Sequence, residues 1–83
     1  MRILGIDPGT GILGFGVIDV NGRKTQLVDA GVIRTPVKED DAVRLLTIYE
    51  ELTDIIAATK PTLMSVEKLF FAKNVTNSVH ILV

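Results

Sequence analysis

The sequence predicts a small α/β domain in which a three-strand antiparallel meander is followed by a helix and by a fourth strand parallel to the first. Short apolar runs at 2–7 and 63–67 are typical of buried strands, and the pair Asn21-Gly22 is the strongest short hairpin signal. Between them, apolar residues recur every three or four positions, which indicates a helix packed on a sheet.

The meander consists of predicted strands at 2–7, 15–20 and 23–35. Pro8 and Gly9 predict a type II turn after the first strand, with a positive φ at Gly9. Asn21-Gly22 joins the second strand to the third, which ends at Pro36. Short connections of this kind make neighbouring strands antiparallel.

The helix is predicted to begin at Asp40 or Asp41, which suit a capping position and the positive end of the helix dipole. It is predicted to close at Lys60-Pro61. Its apolar stripe comprises Leu45, Ile48, Tyr49, Leu52, Ile55 and Ile56. A loop at 68–75 follows the fourth strand, and a second helix, carrying His80, is predicted from 76 or 77.

Two carboxylates end apolar strands, Asp7 the first and Glu67 the fourth. A right-handed crossover through the helix lays these strands parallel, and ligands bind beyond the carboxyl ends of such strands. Neighbouring strand ends lie about 5 Å apart. Paired carboxylates at that distance suit Mg²⁺ or Mn²⁺, so Asp7 and Glu67 are predicted metal ligands. The plain alternatives are that Asp7 only bonds its own turn and that Glu67 is structural.

The remaining acidic residues have ordinary interpretations. The helix acids lie at its start or on its polar face, and the predicted hairpin puts Asp19 and Asp29 toward solvent. The opening is rich in glycine, with Thr10 among the glycines. It is interpreted either as a phosphate-binding loop or as a tight turn leading into a hairpin, and the P-loop consensus is absent.

The segment after Glu67 combines aromatic, basic and amide residues. Lys68, Phe70, Lys73 and Asn74 predict DNA contact, in which an exposed ring stacks on bases while lysines hold phosphates. The alternative is that Phe70 and its neighbour Phe71 pack inward as core.

Composition limits the function classes. The net charge of −1 excludes a polycationic nucleic-acid-binding arm, and the absence of cysteine excludes disulfides and thiolate zinc sites. No stretch approaches membrane-spanning length and no secretory signal opens the chain, so a cytoplasmic protein is expected. With 47% hydrophobic residues and an apolar last stretch, the 83 residues are expected to be part of a larger domain.

The chain resembles the RuvC family of bacterial Holliday-junction resolvases. The resemblance is carried by ILGIDPGT at 3–10, GFGVI at 14–18, GVIRT at 31–35 and, most specifically, VEKLFFAKN at 66–74. It implies that residues 1–83 form the N-terminal part of one ribonuclease-H-like nuclease domain. It also implies a homodimeric, Mg²⁺-dependent endonuclease that nicks four-way DNA junctions symmetrically in recombination and repair, with the branch-migration proteins RuvA and RuvB as partners.

The resemblance also assigns residues. Asp7 and Glu67 match the first two of four acidic metal ligands in the family, and the other two belong to a later helix that this chain does not contain. Phe70 matches a junction-facing aromatic, and Lys73 and Asn74 match a DNA-contacting segment. Two alternatives stay open at this point: a ribonuclease-H-like ATPase or phosphotransferase, and a non-catalytic DNA-binding or dimerisation module.

Overall fold

The computed structural model describes residues 1–69 and 76–82. Its elements are β1 (Arg2–Pro8), β2 (Ile12–Asn21), β3 (Lys24–Arg34), α1 (Asp41–Thr59), β4 (Leu63–Leu69) and β5 (Thr76–Leu82). The strands form one sheet in the order β3-β2-β1-β4-β5. β1 is antiparallel to β2 and parallel to β4, while β2–β3 and β4–β5 are antiparallel pairs. The predicted meander, helix and parallel fourth strand are therefore confirmed.

The core lies between α1 and one face of the sheet. Its buried members come from the three meander strands: Leu4, Ile6, Leu13, Val17 and Ile33. Four helix residues pack against them: Ile48, Leu52, Ile55 and Ile56. The predicted helical stripe is only partly correct, because Leu45 and Tyr49 remain 66% and 68% exposed. The stripe is wider than the surface that the core offers to the helix.

The ends of α1 also differ in how well they were predicted. Lys60 ends the helix where the sequence predicted its close. It adopts the left-handed conformation and donates its N–H to the carbonyl of Ile56 at 2.8 Å. At the other end, the predicted start is confirmed, with Asp40 at the N-cap position, but the side chain of Asp40 makes no cap hydrogen bond. Asp41, in the first turn, is left to interact with the helix dipole.

The first turn lies two residues later than predicted. The N–H of Gly9 donates to the carbonyl of Ile12 at 2.8 Å, and the positive φ belongs to Gly11 (70°), not to Gly9. The second turn lies one residue later than predicted, because Asn21 pairs with Lys24 and the central residues are Gly22, at φ 61°, and Arg23. A positive φ at the first central position is the pattern of the type II′ hairpin turn.

The predicted second helix is wrong, because residues Thr76–Leu82 form β5, antiparallel to β4. This segment contains the β-branched residues Thr76, Val79 and Ile81, which favour extended structure. The free edge of β4 supplies the hydrogen-bond partners that such a strand needs. His80 consequently lies in a strand, at the register position opposite Ser65. Across the part of the chain that the structure describes, no helix has the length and apolarity that spanning a membrane requires.

Candidate metal centre

The two faces of the sheet differ in the size of their side chains. Leu4 and Ile6 of β1 pack toward α1, so the alternating residues Gly5 and Asp7 belong to the opposite face. On β2, the cross-strand partner of Gly5 is Gly16 and that of Asp7 is Gly14. Few side chains therefore project from the sheet face around Asp7, because three of the neighbouring residues on that face are glycines.

This face contains a shallow depression of about 460 Å³. Its lining is Gly5, Ile6, Asp7, Gly14, Phe15, Gly16, Ser65 and Glu67. The depression thus joins residues from β1, β2 and β4. Both predicted metal ligands lie in it, on the same side of the sheet.

The parallel register explains how Asp7 and Glu67 meet. The last paired residues of β1 and β4 are Ile6 and Val66, and each carboxylate follows directly after them. Asp7 is exposed and Glu67 is half-buried. Neither takes part in the salt bridges of the described residues, which join Arg2 to Asp19 and Arg44 to Asp41. The two carboxylates are therefore available to a ligand.

The donor set fits a hard divalent cation. Two carboxylates facing one solvent-accessible depression offer the oxygen ligands that Mg²⁺ and Mn²⁺ prefer. Within residues 1–69 and 76–82, no group of three or more potential ligands comes together. Asp7 and Glu67 consequently form part of a site, with the remaining coordination open to water, substrate or further protein groups.

Gly14 has a direct effect on this site, which sequence reasoning did not identify. Residues opposite each other in an antiparallel pair have Cβ atoms about 5 Å apart, so any side chain at this position would flank the carboxylate of Asp7. A Cβ atom there would meet only the carbonyl oxygen of Asp7, at 3.8 Å. Glycine is thus not required by local crowding, and its effect is to leave Asp7 uncovered. This effect of Gly14 follows from the register of β1 on β2, which pairs it with Asp7. The Asn21-Gly22 hairpin signal concerns β2 and β3 and does not determine that register.

The remaining predicted site residues are less well defined by the structure. Thr10 is exposed in the turn between Gly9 and Ile12, directly after the strand that carries Asp7. Lys68 follows Glu67 on β4. Phe70, Lys73 and Asn74 lie outside the described residues.

A glycine-rich phosphate-binding loop does not form at the opening of the chain. Gly5, Gly14 and Gly16 lie in paired strands, so only Gly9 and Gly11 remain in the turn. A loop cradle uses several successive backbone N–H groups, whereas the N–H of Gly9 already donates within the turn. The tight-turn interpretation is therefore the correct one.

Asp19 is not the solvent-facing residue that the sequence predicted. Its Oδ1 and Oδ2 accept hydrogen bonds from Nε and Nη2 of Arg2 at 2.8 and 2.9 Å. Nη1 of Arg2 donates to the carbonyl of Thr59, the last residue of α1, at 2.7 Å. The hydrogen bond from Arg2 lowers the pKa of Asp19 below its ordinary value, and the same bond raises the pKa of Arg2. This bidentate pair fastens β1, β2 and the end of α1 at the sheet end opposite the carboxylates.

Comparison with known proteins agrees with this arrangement. The family described as "Crossover junction endodeoxyribonuclease RuvC" matches residues 3–82. Proteins of that name from Pseudothermotoga lettingae and Heliobacterium modesticaldum are 44% and 49% identical to the chain, covering 98% and 94% of it and 50% and 48% of their own lengths. The chain thus spans about half the length of these curated relatives.

A solved structure gives the same result for the fold. The structure described as "T. thermophilus RuvC in complex with Holliday junction substrate" matches with a TM-score of 0.79 at 32% identity. The match covers 89% of this chain and 46% of that one. The predicted ribonuclease-H-like fold is confirmed, and the chain belongs to the RuvC family of crossover junction endodeoxyribonucleases.

Proposed function

We propose that residues 1–83 are the N-terminal part of one nuclease domain, and that the full protein resolves four-way DNA junctions by paired symmetric nicks in recombination and repair. The observation that carries the proposal is the meeting of Asp7 and Glu67 in one open depression at the carboxyl ends of two parallel strands. Family membership gives this pair its chemical context. The ATPase alternative loses support, since the chain belongs to a nuclease family and forms no phosphate-binding loop.

Asp7 and Glu67 would hold Mg²⁺, for which Mn²⁺ is expected to substitute. A divalent metal supplies a water made nucleophilic at neutral pH and neutralises charge on the leaving oxygen of the phosphodiester. Because Asp7 is exposed and Gly14 leaves it uncovered, a DNA strand can approach the carboxylates from the open side of the sheet. The role of the two residues is to bind and orient, and neither need act as the base.

DNA contacts are assigned to Thr10, Lys68, Phe70, Lys73 and Asn74. The exposed turn puts Thr10 at the same sheet end as Asp7, which supports contact with a backbone phosphate. The other four follow Glu67 in sequence and rest on the family resemblance. We further propose a cytoplasmic homodimer that works with the branch-migration proteins RuvA and RuvB, since a symmetric pair of nicks requires two active sites.

The test uses the full-length protein with Asp7→Asn and Glu67→Gln, and with Asp54→Asn as the matched control on the exposed face of α1. Both site variants are expected to lose junction cleavage in Mg²⁺ while keeping junction binding. Each removes one negative charge but no phosphate-binding cation, so the salt-dependent part of DNA affinity remains. Equal loss of binding and cleavage, or normal cleavage by the site variants, would contradict the proposed metal centre.

A metal titration provides an independent measurement. A ligand that binds only the folded state stabilises it by about 2.7 kcal/mol when present at 100 times its Kd. Mg²⁺ is therefore expected to raise the melting temperature of the wild-type protein and of Asp54→Asn, and to leave that of Asp7→Asn unchanged. A rise of the same size in Asp7→Asn would locate the metal elsewhere.

A further inference from the structure

We propose that Arg34 binds a phosphate of the DNA backbone two or three nucleotides from the cut. The proposal rests on the proposed nuclease function and adds to it a positioning residue that lies on a different strand from both carboxylates. Arg34 belongs to the GVIRT segment at 31–35, one of the segments that carry the family resemblance.

The first argument is the end of the sheet at which Arg34 lies. β1 and β3 are both antiparallel to β2, so they run in the same direction. Arg34 is the last residue of β3, and Asp7 is the last but one of β1. The guanidinium and the carboxylates therefore share one end of the sheet.

The second argument is the face of the sheet. Ile33 is 4% exposed and pairs with buried Leu13, so both side chains belong to the core beneath α1. The next residue, Arg34, pairs with Ile12 and alternates to the other face, which is the face of Gly14 and Asp7. Arg34 is exposed there.

The third argument is the charge of Arg34. Both salt bridges among the described residues use other arginines, Arg2 and Arg44. Arg44 of α1 donates to the hydroxyl of Thr35 at 3.4 Å on the other face of the sheet, and it is paired with Asp41. Arg34 thus keeps an uncompensated charge among the residues that the structure describes. A guanidinium can bind a phosphate through two parallel hydrogen bonds.

The fourth argument is the distance. Arg34 is two strands away from Asp7 and two residues further along, which separates their Cα atoms by about 12 Å. At about 3.4 Å per nucleotide of one strand, this separation corresponds to three or four nucleotides, and an arginine side chain that leans toward Asp7 shortens it to two or three. Between the two residues, Gly14 has no side chain that projects from the sheet, so a DNA backbone can lie along this surface.

The experiment compares Arg34→Gln with Arg23→Gln in the full-length protein. Arg23 is a matched control, since it is an exposed arginine in the β2–β3 turn at the opposite end of the sheet. Junction binding is measured over a range of salt concentrations with Ca²⁺ in place of Mg²⁺. Arg34→Gln is expected to lower the slope of log K against log salt by about 0.9 for each Arg34 engaged, and Arg23→Gln to leave it unchanged. Arg34→Lys is expected to restore the slope, because the positive charge is kept.

The contacted phosphate is located with junctions that carry one neutral methylphosphonate at successive positions on either side of the cut. At the position that Arg34 contacts, wild-type binding is expected to weaken, whereas binding by Arg34→Gln is not weakened further. Unchanged melting temperatures verify that the variants fold.

Failure of this proposal can be distinguished from failure of the proposed function. If Asp7→Asn abolishes cleavage but Arg34→Gln and Arg23→Gln have the same salt slope, the nuclease assignment stands and the role of Arg34 is refuted. The role of Arg34 would also be refuted if a methylphosphonate at every position weakened junction binding by Arg34→Gln as much as it weakens binding by the wild type. If Asp7→Asn cleaves normally, the proposed metal centre itself is wrong.

Discussion

The turn after Asp7 is predicted to depend on Gly11 in a way that can be measured against a second glycine. Gly11 has a φ of 70° and Gly22 a φ of 61°, so an alanine at either position pays the left-handed backbone cost of about 1–2 kcal/mol. Only Gly11 is also crowded. A Cβ there would lie 2.9 Å from Cγ1 of Val37 and 3.1 Å from the carbonyl oxygen of Thr35, whereas a Cβ at Gly22 would meet nothing within 4 Å.

The crowding term can be estimated from these two contacts. Val37 is 58% exposed, so its side chain can move aside at little cost. Thr35 cannot move as easily, because its N–H donates to the carbonyl of Gly11 at 2.9 Å. Overpacking typically costs about 1–3 kcal/mol, and one backbone contact takes the lower end of that range. We therefore expect Gly11→Ala to destabilise the protein by about 2–3 kcal/mol and Gly22→Ala by about 1–2 kcal/mol.

Urea denaturation and thermal melting of both variants test this estimate, with Gly22→Asn as the further control. Asparagine tolerates the left-handed region, so Gly22→Asn is expected to be less destabilising than Gly22→Ala. In the full-length protein, which by comparison with its relatives is about twice as long as this chain, each kcal/mol lowers the melting temperature by roughly 2–4 °C. Equal effects of Gly11→Ala and Gly22→Ala would refute the crowding argument. No effect at either position would refute the positive φ itself.

Three further predictions follow from the other parts of the chain. Asp19→Asn is expected to lower the melting temperature at neutral pH, and the difference from wild type is expected to vanish in acid. The reason is that the pKa of Asp19 is lower in the folded state than its unfolded value near 3.8. The contribution of ionised Asp19 to the free energy of unfolding is therefore present above the unfolded value and is lost as the pH falls through the folded value. A polypeptide of residues 1–83 alone is expected not to cleave junctions in Mg²⁺, because two carboxylates leave too few ligands to fix two ions; cleavage that Asp7→Asn abolishes would contradict this. In the full-length protein, Phe70→Ala is expected to reduce cleavage more than binding, with about 1–3 kcal/mol of base stacking lost and little change in melting temperature. A drop in stability of about 3–5 kcal/mol would instead identify Phe70 as a core residue.

Local signals predicted most of the fold. The apolar run of β1, the hairpin signal at Asn21-Gly22 and the helical spacing of Ile48, Leu52, Ile55 and Ile56 are local patterns. The strand, hairpin and helix that they predict are all present in the structure. The crossover from β1 through α1 to β4 follows from chain connectivity. That step brings Asp7 and Glu67 to the same end of the sheet, and the register that pairs Ile6 with Val66 puts them on the same face.

The failures concern choices that the local sequence leaves open. Gly9 and Gly11 are both suitable for a turn, and contacts with Thr35 across the sheet accompany the choice of Gly11. Arg2 and Asp19 are 17 residues apart, so their pairing requires the register of β1 on β2. The β-branched residues of Thr76–Leu82 favour extended structure, but the pairing of this segment with the edge of β4 is not visible in the local sequence. Register and edge pairing are tertiary properties, and helix or turn propensity does not encode them.

The glycines beside Asp7 set strand stability against access to the carboxylate of Asp7. Filling Gly14 with a β-branched residue would improve strand propensity by up to about 1 kcal/mol, and the structure has room for the first carbon. The same side chain would cover Asp7, whose carboxylate must stay open if it is to hold a metal and meet a phosphodiester. A sheet selected for stability alone would carry side chains at Gly5, Gly14 and Gly16. The bare face beside Asp7 and Glu67, opposite a face packed with leucine, isoleucine and valine, is therefore best explained by the requirements of the site rather than by those of folding.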